Sequence, residues 1–297
     1  MQITVRLFLL IMMIKKYKIG NFTAEIKSQA DFQDVEPYSL FLYDGEQIDY
    51  SIEVEFSSDL PQKIENPYCV SHDRVYVWED NILHTYYKSH DIEEEFYASR
   101  TVDGNNIKIV IDERYHDLLR SKVLFALVGI EELIAEKNGC VLHSSFVEKD
   151  GEAILFVGPC SIGKSTQANL WKKYADAVVI NGDKALVYEK DGNFYASGIP
   201  FSGSSKDCLN KVLPLKAIIS LEQAETNSAK KLASTEAFLS LYKNCYPVPY
   251  SRDCTGELID FIEHICQSVP VYDYACVADE SAVRYLERIL CRIIPSL

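Results

Sequence analysis

The residues best suited to chemistry lie in one short loop, Gly158–Ser165, which fits the phosphate-binding pattern G-x-x-x-x-G-K-[ST] at every fixed position. Gly158 and Gly163 allow backbone conformations that a Cβ forbids, so successive N–H groups can converge on an anion. In this pattern Lys164 reaches the β- and γ-phosphates of a nucleotide, and the Ser165 hydroxyl binds Mg²⁺. We predict a nucleotide-binding site made of nine residues: Gly158, Pro159, Cys160, Ser161, Ile162, Gly163, Lys164, Ser165 and Thr166.

The segments on either side of this loop fit the same interpretation. Ala153–Val157 is an apolar run typical of a buried strand, and Lys164–Tyr174 has the spacing of an amphipathic helix. A helix that begins at the loop adds the partial positive charge of its N-terminus to the anion site. The alternative is a glycine-containing turn with a surface lysine. Cys160 likewise has two interpretations, a small tolerated residue or a thiol whose oxidation blocks nucleotide binding.

The strand that leads into the loop is the second arm of a predicted hairpin. Val141–Val147 and Ala153–Val157 are predicted strands joined by a short turn, so they must run antiparallel. After the loop helix comes a strand over 177–180, and then a second hairpin from Ala185–Glu189 and Phe194–Gly198. The sequence therefore predicts an α+β or mixed α/β fold whose sheet is partly antiparallel.

Residues 14–113, which precede this region, are predicted to form a β-rich N-terminal region. Short apolar or alternating runs between turn signals predict seven strands there: Phe22–Ile26, Ser39–Tyr43, Tyr50–Phe56, Asp73–Trp78, Ile82–Tyr87, Phe96–Ser99 and Ile107–Ile111. A helix is predicted from about His116 to Lys137. We assign 114–297 to the nucleotide-binding domain and interpret 1–13 as an over-extended N-terminus.

Composition narrows the classes of partner. The formal net charge is −14 and no stripe of Lys or Arg is present, so we expect no nucleic-acid partner. The apolar run Leu7–Ile14 is too short to span a bilayer, so we expect no membrane partner. Nine cysteines without a C-x-x-C pair favour reduced thiols in a cytoplasmic protein.

The predicted mixed sheet and several short motifs resemble the HPr kinase/phosphorylase family and its fold relative, ATP-dependent phosphoenolpyruvate carboxykinase. Leu142–Ser145 carries a histidine, His143, before the hairpin turn, as in that family. The acidic motif after the loop helix corresponds to Asn181–Lys184, and Gly198–Gly203 looks like the Gly-x-Pro-aromatic-x-Gly loop of smaller HPr-kinase-like proteins. The resemblance covers residues 140–220 best and implies a phosphate-loop nucleotide-binding fold.

The resemblance also implies an activity: transfer of phosphate from ATP, with Mg²⁺, to a serine hydroxyl of a protein or peptide. Lys164, Asp183 and His143 are then the catalytic residues, and Ser165 and Asp183 the metal ligands. Some relatives accompany ribosomally made peptides, so the resemblance allows a peptide acceptor. Hexamers are known in the family, so it also allows an oligomer. Gly182 stands where the family has a first aspartate. That departure favours the alternative, an ATP-binding sensor or scaffold that transfers no phosphate.

Overall fold

The computed structural model describes residues 12–61, 63–71, 73–89, 95–135, 137–203, 205–246 and 252–291. All but the last two positions of the predicted over-extended N-terminus, 1–13, lie outside these residues. The chain divides into two compact units. The first contains the described residues up to Lys18 together with Phe22–Gly129, and the second contains Ile19–Asn21 and the chain from Ile130 onward.

The first unit is built on one eight-stranded sheet in the order β1-β2-β3-β8-β7-β6-β5-β4. Its strands are β1 Met13–Ile19, β2 Phe22–Ser28, β3 Tyr50–Ser57, β4 Cys69–Ser71, β5 Arg74–Glu79, β6 Ile82–Lys88, β7 Phe96–Asp103 and β8 Asn106–Asp112. Strand β3 is parallel to both of its neighbours, β2 and β8, whereas β5 to β8 pair antiparallel in succession. Six of the seven predicted strands are confirmed.

The prediction of a strand over Ser39–Tyr43 is wrong, because this segment contains a 3₁₀ helix, Tyr38–Phe41. Tyr38 and Phe41 are buried, whereas Leu40 and Leu42 are about half exposed. Burial three residues apart follows the period of a 3₁₀ turn, not the period of two that a strand face requires.

The single helix predicted from about His116 to Lys137 is also wrong. The structure has a 3₁₀ helix at Glu113–Leu118, then α1 at Ser121–Val128 and α2 at Ile130–Ala135. Gly129 separates α1 from α2 with left-handed backbone angles, φ 64° and ψ 56°. Glycine adopts these angles without a steric penalty, so the apolar periodicity continues across a break that it does not reveal.

Within the described residues, the second unit contains eight further strands, helix α2 and four more helices. The strands are β9 Gly139–Lys149, β10 Glu152–Val157, β11 Val178–Asn181, β12 Lys184–Lys190, β13 Asn193–Ser197, β14 Val212–Gln223, β15 Ser228–Lys231 and β16 Val271–Cys276. The helices are α3 Lys164–Tyr174, α4 Ser234–Asn244, α5 Arg252–Ser268 and α6 Glu280–Leu290. Both predicted hairpins are confirmed, since β9 pairs antiparallel with β10 and β12 pairs antiparallel with β13.

The sheet of this unit is mixed, as predicted. Its strand order is β10-β9-β12-β13-β14-β16-β15, and β11 pairs with β9. Strand β10 also pairs in parallel with β14, and β14 pairs in parallel with β16. The carboxyl ends of β10, β14 and β16 therefore lie at one edge, which is where open α/β sheets bind their ligands.

The strand that leads into the loop is covered on both faces. Leu155 and Val157 belong to a core cluster that includes residues of α4 and α5, whereas Ile154 and Phe156 belong to a second cluster with residues of α3 and α6. A strand buried on both faces reads as a continuous apolar run. Within the described residues, no helix has the combined length and hydropathy needed to cross a bilayer.

Candidate functional site

The loop between β10 and α3 curls tightly at the carboxyl edge of the sheet. Gly158 has φ 143° and Gly163 has φ 113°, and Ser161 between them has φ 64°. A Cβ on Gly158 would lie 3.1 Å from Ile162 Cγ2, so the turn also leaves little space for a side chain there. Positive φ angles at Gly158, Ser161 and Gly163 therefore shape the turn that joins β10 to α3.

Lys164 folds back over this loop. Its Nζ donates hydrogen bonds to the carbonyl oxygens of Gly158, at 2.8 Å, and Pro159, at 3.0 Å. The residue is only 7% exposed, and no carboxylate among the described residues lies within ion-pair distance of its ammonium group. Burial lowers the pKa of Lys164, an effect that Cys160 and Asp183 oppose. A buried cation bonded only to carbonyls is electrostatically incomplete without an anion.

The predicted loop residues differ in their exposure. Gly158 and Lys164 are buried, Ile162 and Gly163 are half-buried, and the other five are exposed: Pro159, Cys160, Ser161, Ser165 and Thr166. Cys160 is a free thiol. Ser165 and Thr166 at the start of α3 are therefore exposed to solvent, while Lys164 between the loop and the helix is buried.

The turn between β11 and β12 lies beside the first helical turn of α3. Ser165 Oγ donates a hydrogen bond to the Gly182 carbonyl at 3.3 Å, and Ser145 Oγ donates to the same carbonyl at 3.0 Å. The backbone N–H of Ser144 donates to the Asp183 carbonyl at 3.0 Å. The structure thus brings the loop lysine, Ser165 and Asp183 into one region, although they come from two separate segments.

Asn181 shapes this turn, and it was missed as a site residue. It is fully buried, and its Oδ1 accepts hydrogen bonds from the backbone N–H groups of Asp183, at 2.9 Å, and Lys184, at 3.0 Å. Its Nδ2 donates to the carbonyls of Ile199, at 2.9 Å, and Phe201, at 3.2 Å. The Asn-Gly-Asp run is a turn signal that could have indicated this role.

We predict that Asn181→Ala lowers the free energy of unfolding by about 2–4 kcal/mol, because it leaves several buried backbone groups unpaired. Urea unfolding of the purified protein measures this change. Asn193→Ala is the matched control, since Asn193 is exposed and its side chain donates a hydrogen bond to the Asp191 carbonyl. We expect the control to change stability by less than about 0.5 kcal/mol. Equal losses in the two variants would contradict the role of Asn181.

Asp183 lies between two basic side chains. His143 Nε2 is 3.6 Å from Asp183 Oδ1, and Lys184 Nζ is 3.6 Å from Asp183 Oδ2. His143 on β9 and Lys184 on β12 are direct partners in the antiparallel pairing of these strands. The side chains of Asp183 and His143 are each about one quarter exposed. The carboxylate is therefore oriented by its neighbours and still accessible to a ligand.

Burial lowers the pKa of His143, and the positive charges of Lys164 and Lys184 lower it further. The negative charge of Asp183 raises it. The lowered pKa favours the neutral imidazole over the imidazolium. Lys184 in turn lies over two aromatic rings, 4.8 Å from the centroid of Tyr246 and 5.4 Å from that of Phe201. These rings position the lysine beside Asp183.

Two glycines allow the backbone to approach Asp183 closely. A Cβ on Gly203 would lie 2.8 Å from Asp183 Cγ, and Gly203 has φ 56°. A Cβ on Gly182 would overlap Ser205 Oγ and would lie 2.5 Å from Ser205 Cβ. The absence of a carboxylate at 182 is therefore built into the local packing. Asp207 Oδ2 is 3.8 Å from that same Cβ position.

Asn244, the last residue of α4, is a second residue that sequence reasoning missed. Its Oδ1 accepts a hydrogen bond from the backbone N–H of Gly158 at 3.1 Å, and its Nδ2 donates to the Ser240 carbonyl at 2.8 Å. The contact joins positions 86 residues apart, at the end of an ordinary amphipathic helix. No local pattern signals it, because only the tertiary fold places α4 beside the loop.

Comparison with known proteins finds a matching family and similar solved structures. A family described as SynChlorMet cassette protein ScmC matches residues 110–256, a segment that contains His143, the loop, Asp183 and Asn244. Among solved structures, the HPr(Ser) kinase/phosphatase from Coxiella burnetii is similar at 13% sequence identity, with a TM-score of 0.28, over 50% of this chain and 92% of that chain. No curated protein matches the chain.

Proposed function

We propose that this protein binds a magnesium–nucleoside triphosphate, ATP, at the loop Gly158–Ser165 and transfers the terminal phosphoryl group to a serine hydroxyl of a protein or peptide. The observation that carries the proposal is Lys164, a buried cation without a carboxylate partner among the described residues, enclosed in a curled loop at a helix N-terminus. A polyphosphate supplies the missing negative charge, and the loop N–H groups supply hydrogen bonds to its oxygens.

The residues present also fit a magnesium ion. Within the described part of the chain, no group of three or more His, Cys, Asp or Glu side chains is arranged to hold a metal by itself. Mg²⁺ in nucleotide sites is held differently, by one or two protein oxygens together with the phosphates. Ser165 Oγ and the Asp183 carboxylate would be those oxygens. Bound there, the ion would neutralise charge on the phosphates.

The reaction needs one proton acceptor and one displacement. The serine oxygen forms a bond to the γ-phosphorus, while the bond from that phosphorus to the β–γ bridging oxygen breaks and releases the nucleoside diphosphate. The proton of the attacking hydroxyl passes to Asp183, which is close to His143 and Lys184. His143, in its neutral form, orients the carboxylate. Lys164 stabilises the negative charge that develops on the transferred group.

The choice of acceptor is supported by the match to a cassette protein. We propose that the acceptor is a ribosomally made peptide or small protein that belongs to such a cassette. Labelled ATP incubated with Mg²⁺, this protein and serine-containing candidates tests the proposal, with an HPr-like protein as a second candidate acceptor. We expect label on a peptide serine. Tight nucleotide binding without transfer to any acceptor would reject the kinase function and favour the sensor described below.

The lowered pKa of His143 predicts how transfer depends on pH. Above its pKa the imidazole is neutral and leaves the Asp183 carboxylate free to accept a proton. Below it the imidazolium pairs with Asp183 and competes for that carboxylate. We therefore expect kcat to fall on the acid side with a midpoint below the ordinary histidine value of 6.5.

Initial rates measured from pH 5 to 8 check this dependence, and His143→Gln should abolish this acid limb. His264→Gln is the control, since His264 is exposed on α5 and lies 3.1 Å from Glu189 Oε2, away from the loop. The control should keep the limb. A wild-type profile with a midpoint above 6.5 would contradict the assigned role.

A second function is favoured by Gly182. A site with one carboxylate suits a protein that binds ATP and changes its contacts with a partner without transferring phosphate. Restoring a second carboxylate discriminates between the two functions: transfer that appears only in a Gly182→Asp protein would support the sensor. The packing of Gly182 against Ser205 shows that this experiment requires a second change.

We predict that Gly182→Asp alone lowers the free energy of unfolding by about 1–3 kcal/mol, because its Cβ overlaps Ser205 Oγ. Ser205→Gly in the same chain removes both overlapping atoms. Ser205→Gly alone has its own cost, because Ser205 Oγ donates a hydrogen bond to the Ser202 carbonyl, 2.9 Å, and accepts one from the Asp207 N–H, 3.3 Å. Thermal or urea unfolding gives the stability of the wild-type protein, the two single variants and the double variant, which together form a double-mutant cycle. The double variant should lose less free energy of unfolding than the two single variants lose together. Strictly additive losses would contradict the overlap between the Cβ at 182 and Ser205.

A further inference from the structure

A cavity of about 420 Å³ opens beside the loop. Its lining comes from three places: the loop with the first turn of α3, the end of β14, and the end of β16. Small-molecule binding pockets have volumes of about 300–1,000 Å³, so the space is sufficient for a purine ring. Because β10, β14 and β16 are parallel, the cavity lies at the carboxyl edge of their sheet, adjacent to the phosphate loop.

Gln167 gives this cavity a specific polar group. It lies on α3 within the cavity lining and is only 3% exposed. Its Nε2 donates hydrogen bonds to Cys276 Sγ and to the Val277 carbonyl, both at 3.2 Å. Its Oε1 is buried without a hydrogen-bond partner among the described residues. A buried amide oxygen left unpaired is costly, and a ligand N–H group would satisfy it.

The rest of the lining suits a flat apolar ring. Leu221 at the end of β14 is 6% exposed, and Val277 and Ala278 follow β16. Gln223 closes one side, since its Nε2 donates to the Ile162 carbonyl at 3.2 Å and so joins the end of β14 to the loop. Thr166, immediately after Ser165, is exposed at the cavity. Gln167, the residue that carries the unpaired amide oxygen, thus lines the same cavity as Ser161, Ile162 and Gly163 of the phosphate loop.

We infer that this cavity receives the purine base of the nucleotide whose phosphates occupy the loop, with Gln167 Oε1 accepting a hydrogen bond from the exocyclic amino group of adenine. The inference rests on the proposed nucleotide binding and adds its base specificity. An amide oxygen accepts from the adenine amino group, while the apolar strand ends contact the ring. The phosphates alone would then account for only part of the affinity.

Calorimetric titration separates the base from the phosphates. We expect the wild-type protein with Mg²⁺ to bind ATP at least about tenfold more tightly than inorganic tripolyphosphate, which has no base. Ala278→Trp fills the cavity from an exposed position and should remove that preference while leaving tripolyphosphate affinity unchanged. Val178→Trp is the matched control, because Val178 is 45% exposed on β11 and does not line the cavity. It should retain the preference.

A second comparison isolates Gln167. Purine riboside triphosphate lacks the amino group, so the wild-type protein should bind it about fivefold more weakly than ATP, and Gln167→Met should bind the two equally. An equal affinity of the wild-type protein for both nucleotides overturns the role of Gln167. Equal affinity for ATP and tripolyphosphate, or an unchanged ATP preference in Ala278→Trp, overturns the base site while leaving phosphate binding intact. Failure of the wild-type protein to bind either ATP or tripolyphosphate rejects the proposed function itself.

If Ala278→Trp also loses tripolyphosphate, Gln167→Met decides the question. This variant keeps the side-chain length and removes the amide, and its fold is checked by its unfolding transition. Loss of discrimination between ATP and purine riboside triphosphate then supports the base site. Retained discrimination rejects the role of Gln167.

Discussion

Lys164→Ala is expected to lose ATP binding almost completely and, with it, any phosphate transfer. The ammonium group is the buried charge of the loop, and its hydrogen bonds to Gly158 and Pro159 show that it lies within reach of the loop centre. Charge-assisted hydrogen bonds contribute about 1.5–3 kcal/mol each, so we expect affinity for Mg²⁺–ATP to fall by about 100-fold or more. Calorimetry with ATP measures the affinity, and labelled transfer measures the activity.

Lys172→Ala is the matched control for this variant. Lys172 lies on the same helix, α3, and is exposed near its C-terminal end, away from the loop. The control should bind ATP like the wild-type protein. If both lysine variants lose affinity equally, the effect reflects net charge and not the loop. If Lys164→Ala binds ATP normally, the phosphate site is not where we propose it.

The second large effect is expected for Asp183→Asn. The amide keeps the size of the carboxylate but cannot accept the hydroxyl proton, so the rate of transfer should fall about 100- to 10,000-fold. Nucleotide affinity should stay within about threefold of the wild-type value, because the phosphates are held mainly by the loop and Lys164. Single-turnover transfer and ATP titration on the same preparation measure the two quantities separately.

Asp191→Asn provides the same chemical change at a neutral position. Asp191 lies at the exposed turn between β12 and β13 with φ 53°, a conformation that asparagine tolerates well. Its transfer rate should match the wild-type rate. Normal turnover in Asp183→Asn would reject the assignment of the base. A loss of affinity that equals the loss of rate would instead place Asp183 mainly in metal and nucleotide binding.

The alternation and turn signals of the sequence predicted most of the strands, because burial in a sheet imposes a period of two that is visible locally. The hairpin before the loop was predicted from its connection, since a turn as short as 149–152 permits only antiparallel pairing. The errors have equally local causes. Gly129 interrupts an apolar pattern without disturbing its spacing, and Tyr38 and Phe41 are buried with a period of three.

The candidate site was predictable where its residues are contiguous. Gly158–Ser165 forms a loop between a strand and a helix, and the positive φ angles of this loop at Gly158 and Gly163 require glycine. Asp183 and His143 were predicted from short motifs, and the pairing of β9 with β12 brings them within 3.6 Å of each other. Their roles in transfer remain predictions that the variants above address.

Sequence alone thus determined the conformations that glycine permits and the strand and helix beside the loop, since these depend on interactions between neighbouring residues. Only the tertiary structure decided what surrounds them. It placed Asn244 on the Gly158 amide, Ser205 against Gly182, and the ends of β14 and β16 next to Gln167. Those contacts depend on how distant strands and helices pack together, and no local pattern of residue types records which side chain will meet which.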